Sequence, residues 1–121
     1  MKANVIVEKA FAFSLSMIEL YKYLQERRET VISKQLLRSG TSIGANVEES
    51  TVAQTRKDFI TKMSIASKEA RETKYWLRLL QESQMIKGDY KKYIEGVEEI
   101  IRILTSIVKT SQNNTKSINN S

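Results

Sequence analysis

The chain contains no cysteine, no histidine and no proline. Each absence closes off a class of protein. Without cysteine there is no disulfide framework; without cysteine and histidine together there is no zinc site of the usual kind and no imidazole base. A metal held by carboxylates alone stays open, but a Glu-x-x-His pair of the di-iron bundle type is missing. Without proline, only glycine, polar clusters and caps can stop a helix. Long apolar runs are lacking too. The longest uncharged stretch of the first helical segment, Ala10 to Ile18, lies between Lys9 and Glu19 and is about half of what spans a bilayer. Glu8 and Lys9 fall where a signal peptide needs an unbroken apolar core, so the expectation is a cytoplasmic protein with no membrane partner.

What is present fits one helical domain. A length of 121 residues is enough to bury a core without metals or disulfides. Twenty Lys and Arg against fourteen Asp and Glu give a net charge of +6, a balance that favours phosphate-bearing partners. Apolar residues recur at steps of three and four in four segments, and no segment alternates with period two for long enough to be a strand.

In the first segment, about residues 4–27, Ile6, Phe13, Met17, Leu20 and Leu24 form the stripe, Phe11, Leu15 and Ile18 widen it, and Asn4 is the expected N-cap. The second helix, about 33–53, takes Thr30 or Ser33 as its cap. The third, about 56–84, opens on Thr55-Arg56-Lys57-Asp58, a capping box with aspartate for the usual glutamate. Its seam is Phe59, Met63, Ala66, Ala70, Thr73, Leu77 and Leu80, and a second stripe runs Ile65, Glu69, Glu72, Trp76, Leu79. The fourth, about 89–111, follows a turn at Gly88 with Asp89 as cap. Its seam is expected at Tyr90, Ile94, Val97, Ile101, Leu104 and Val108, broadened by Ile100, Ile103 and Ile107. Short connections make this an all-α, up-down-up-down antiparallel four-helix bundle over residues 1–112. The polar segment 113–121 has too little to bury and is expected to be a disordered tail.

One stretch resists the helical pattern. Ser33 to Ser50 carries Gly40 and Gly44, each costing about 1 kcal/mol against alanine in a helix interior. A phosphate-cradling loop would need a preceding strand and, for a P-loop, Lys-Ser/Thr after the last glycine; here Ala45-Asn46 follows and no strand precedes. The glycines instead share a stripe with Leu37 and Val47, the place for small residues that let another helix come close.

Two side-chain groups remain as candidates for a site. Glu69 and Glu72 stand beside Trp76, where paired carboxylates serve either acid–base chemistry or a cation, or pair with Arg38 or Lys34 across a helix contact. Arg71, Lys74 and Arg78 lie close on one face of the third helix with Lys68 nearby, and Tyr75 is placed to stack a base. The bland alternative is a solvated charged face, since Glu69 and Glu72 interrupt the run. Ser106 and Lys109 match Ser-x-x-Lys, but the companion motifs of serine–lysine catalysis are missing.

The run from Gln35 through Arg38, Gly40, Gly44 and Asn46 to Ser50, with Asp58-Phe59, Lys68-Glu69-Ala70 and Tyr75-Trp76-Leu77, resembles the 23S rRNA-intervening-sequence proteins, a bacterial four-helix-bundle family also known as S23 ribosomal protein-like. The likeness covers about residues 4–110, and the long motif fits throughout. It implies a homopentameric bundle without known enzymatic activity or cofactor. A related branch, the accessory variability determinant of diversity-generating retroelements, partners a reverse transcriptase and binds nucleic acid through a basic surface. The expectation is therefore a non-enzymatic oligomer binding RNA or DNA through Lys68, Arg71, Lys74 and Arg78. Arg38, Gly40, Gly44, Asn46, Glu69, Glu72 and Trp76 would serve helix packing or assembly. The rival is a protein-binding or scaffolding oligomer, for which the charge is only solubility.

Overall fold

A computed structural model describes the backbone of residues 2–119 and the side chains of residues 4–114. It contains four helices: α1 (Lys2–Glu26), α2 (Ile32–Ser50), α3 (Arg56–Ser83) and α4 (Lys91–Asn119). Contacts across the bundle give the topology. Gln25 meets Ser33 and Ser14 stands beside Gly44; Arg38 meets Glu72 and Glu49 meets Lys62; Lys74 meets Glu98 and Arg71 meets Thr105; Lys9 meets Glu99 and Phe13 stands beside Gly96. Along each pair, numbers rise on one helix as they fall on the other, so all four neighbouring pairs are antiparallel and the helices close into a ring.

The core is the inward stripe of each helix. Ile6, Ala10, Phe13, Met17, Leu20 and Leu24 come from α1; Leu36, Ile43 and Val47 from α2; Met63, Ala66, Ala70, Leu77 and Leu80 from α3. From α4, Val97, Ile100, Leu104 and Ile107 are buried, whereas Ile94, Ile101, Ile103 and Val108 are half-buried. The expected α4 seam is thus rotated. Two apolar stripes overlap on this helix, and the one carrying Ile100 and Ile107 is the more buried.

A larger correction concerns α1. Phe11, Leu15 and Ile18 do not widen the buried stripe; they are 58%, 51% and 38% exposed. At about 100° per residue they fall nearly opposite Phe13 and Met17, and a helix with only two neighbours cannot bury both sides.

Small residues decide how closely α2 approaches α1. A Cβ built on Gly40 would lie 2.4 Å from Met17 Cγ, and one on Gly44 3.0 Å from Ser14 Oγ and 3.4 Å from the Ala10 carbonyl oxygen. Gly96 of α4 is different: an added Cβ reaches only ordinary contact with the Phe13 ring, at 3.6 Å. Between α2 and α3, the buried Thr73 hydroxyl donates to Ser39 Oγ at 2.8 Å.

The helix ends depart from expectation in several places. Asn4 lies inside α1, which begins at Lys2. Neither Thr30 nor Ser33 caps α2; the N-cap position is Val31, without a side-chain cap bond. Glu29 serves instead, accepting from the N–H groups of Val31, Ile32 and Ser33 at 3.1, 2.9 and 2.7 Å. At α3, Thr55 accepts from the Asp58 N–H at 3.0 Å. The left-handed residue after α3 is Gln84 (φ 50°), not Gly88, and its amide bonds both the N–H and the carbonyl of Gly88. Asp89 accepts from the Lys91 N–H at 3.1 Å. Tyr90 is buried there; its hydroxyl donates to the Ile86 carbonyl at 2.6 Å, and burial, with Tyr23 nearby, pushes the phenol above its usual range.

The α4 backbone stays helical to Asn119, beyond the end expected near residue 111. Nothing in that run breaks a helix outright, since Asn, Ser and Thr each cost only a few tenths of a kcal/mol. The side chains from 115 onward, and the last two residues of the expected tail 113–121, lie outside the described residues.

Candidate nucleic-acid interface

Two groups of polar side chains emerge on α3, one on each flank. On the flank facing α2, Arg38 forms ion pairs with both Glu69, at 3.3 Å, and Glu72. Trp76 donates from Nε1 to the same Glu72 carboxylate at 3.0 Å, and Gln35 accepts from Arg38 at 3.4 Å. All of these contacts lie within one chain. Their carboxylates are engaged by Arg38 and Trp76, which leaves them poorly placed for acid–base work. Arg38 is half-exposed, so the pairs contribute modestly, on the order of 1 kcal/mol or less each. Asn46 donates to the Ser42 carbonyl of its own helix at 2.9 Å, and Gly40 and Gly44 face α1 as described above.

On the other flank α3 meets α4, and here the charge is different. Arg71, Lys74, Tyr75 and Arg78 of α3, with Glu98, Ile101 and Arg102 of α4, line an open hollow of about 350 Å³. Four cations stand against one carboxylate. Lys74 pairs with Glu98 at 3.1 Å, and Arg71 donates to the Thr105 hydroxyl at 3.3 Å. Arg78 and Arg102 have no ion pair among the described residues. The seam continues towards the α4 C-terminal half in a second hollow lined by Ser64, Ser67, Arg71, Thr105 and Lys109. Of the four basic residues singled out from sequence, Arg71, Lys74 and Arg78 come together; Lys68 is exposed and does not line either hollow.

Arg102 escaped the sequence reading. It sits in the run Ile100 to Ile103, where the apolar pattern draws the eye. The available signal was the polar row Glu98, Arg102, Thr105, Lys109 at steps of four and three, which an antiparallel neighbour must set against Arg78, Lys74 and Arg71.

A comparable hollow of about 340 Å³ lies between α1 and α4, lined by Lys9, Phe13, Glu19, Lys92, Gly96 and Glu99 among others. Its two lysines face two glutamates, and Lys9 is paired with Glu99 at 3.1 Å. It offers an anion no net attraction, which distinguishes it from the α3/α4 seam. Among the described residues no helix is long and apolar enough to cross a membrane.

These features define an all-α, up-and-down four-helix bundle with an ion-paired cluster on one flank of α3 and a net basic hollow on the other. The chain belongs to the 23S rRNA-intervening sequence protein family, whose profile matches residues 2–106. It is similar to a solved structure from Bacteroides thetaiotaomicron VPI-5482, a protein of unknown function from the S23 ribosomal protein family. The two are 49% identical over 90% of this chain and 99% of that one, with a TM-score of 0.85. Comparison with curated proteins finds no match.

Proposed function

We propose that this protein is a non-enzymatic, self-associating four-helix bundle of the cytoplasm that binds RNA or DNA along the α3/α4 seam. The observation that carries the reading is the convergence of Arg71, Lys74, Arg78 and Arg102 from two helices on one open hollow holding a single carboxylate. A net charge of +6 adds long-range attraction to the same partners. Self-association is supported by the apolar row Phe11, Leu15 and Ile18 left on the outside of α1, and the family resemblance implies a homopentamer. Repetition of a modest cationic seam around such a ring would raise its avidity without any new contact. The resemblance also implies a role as accessory to a nucleic-acid enzyme such as a reverse transcriptase.

Salt dependence tests this reading. Binding to a generic RNA or DNA should weaken steeply between low and physiological salt, because neutralised phosphates release counterions. Replacing Arg71, Lys74 and Arg78 together with glutamine should weaken it further and flatten the salt slope by about two to three. Absence of binding even at low salt would leave the scaffolding role, for which the α1 row is the supporting feature.

A further inference from the structure

The α3/α4 seam has one feature that a simple phosphate-binding surface does not require. Tyr75 is 55% exposed at the rim of the hollow, yet its ring is held from behind. The Trp76 ring meets it edge-on at 5.2 Å and 70°, and Trp76 is itself anchored through Nε1 to Glu72 at 3.0 Å. An exposed aromatic ring thus lines the same hollow as four cations, in contact with a neighbour that is itself anchored. Arg78 stands on the α3 bank and Arg102 on the α4 bank, neither with an ion pair among the described residues.

This arrangement suits one form of nucleic acid. In a duplex the base faces are stacked inside, and phosphates line two ridges separated by grooves of about 6 and 12 Å. Tyr75 could gain nothing from such a partner. A single strand exposes the π-faces of its bases, which stack on aromatic side chains while a narrow cationic groove follows the backbone. The hollow, at about 350 Å³, lies at the small end of ligand-sized clefts of about 300–1,000 Å³, a size that suits a single unstacked nucleotide.

We infer that the seam takes single-stranded nucleic acid: Tyr75 stacks on one base while Arg78 and Arg102, on opposite banks, take the phosphates that flank it. This rests on the nucleic-acid reading above and adds strand specificity and a stacking residue. The test compares a fluorescent oligo(dT) of about twelve nucleotides, within the span of known single-strand sites, with a mixed-sequence duplex of the same length, by anisotropy on the full chain at low salt. Tyr75→Ala should weaken oligo(dT) about tenfold, leave duplex affinity unchanged and keep the salt slope. Tyr75→Phe should restore oligo(dT) binding. Arg102→Gln should lower the oligo(dT) salt slope by roughly one. Thermal melts monitor folding, which replacement of an exposed ring should barely change. If Tyr75→Ala leaves oligo(dT) binding intact, or weakens both probes alike, strand specificity is overturned while the basic-surface reading stands. If neither probe binds the native protein, both readings fall together.

Discussion

Glu29 is 6% exposed, and its carboxylate is met by three backbone N–H groups at the start of α2 rather than by a cation. The helix dipole and the unsatisfied first-turn donors make that position favourable for an anion. In sequence Glu29 closes the charged run Glu26-Arg27-Arg28-Glu29, and nothing there marks it as a cap, because its partners are backbone groups that leave no pattern. Gly40 is the opposite case, since a small residue within an amphipathic stripe signals a close neighbour directly. Its missing Cβ is occupied space: Met17 Cγ, Sδ and Cβ all lie within 3.2 Å of where it would stand. Gly40→Leu should therefore destabilise the fold by about 1–2 kcal/mol, overpacking at the upper end of its usual range of about 1–3 kcal/mol outweighing the gain of about 1 kcal/mol in helix propensity. Urea denaturation measures this, and an unchanged midpoint would show that α1 and α2 can separate freely there.

At the level of helices, the four segments were legible because apolar residues recur at helical steps in each, and so was the α3 seam, whose main stripe is the more apolar of its two. Met63, Ala66, Ala70, Thr73, Leu77 and Leu80 are all buried. The α1 and α4 faces were not, for a shared reason. Both helices are apolar on more than one side, and periodicity finds apolar arcs without saying which arc a neighbour covers. On α1 the uncovered arc is Phe11, Leu15 and Ile18. If this row holds protomers together, replacing all three with glutamine should shift the assembly to monomers in sedimentation velocity. The helical circular dichroism and melting of the monomer should persist, since none of the three belongs to the core. Loss of helicity together with assembly would instead assign the row to folding.

For the whole molecule, consecutive helices are neighbours throughout, so the sequence determines the ring almost by itself once the helices are known. The basic α3/α4 seam was half legible. Arg71, Lys74 and Arg78 share one helix and one face, whereas Arg102 joins them only through the antiparallel register of α4 against α3. Lys68 lies exposed outside the hollow for the same reason, since proximity along a helix does not tell which residues overlook its junction with the next. The glycines add a contrast in thermal tolerance. Gly96 lies within α4, where an added methyl group meets Phe13 at an ordinary distance of 3.6 Å. Gly96→Ala is expected to raise stability by roughly 0.5–1 kcal/mol and the melting temperature by about 2–6 °C, as calorimetry would show. Heat resistance in this bundle therefore has an unused reserve on α4, at a residue type that at Gly40 of α2 leaves no room for a side chain unless Met17 moves.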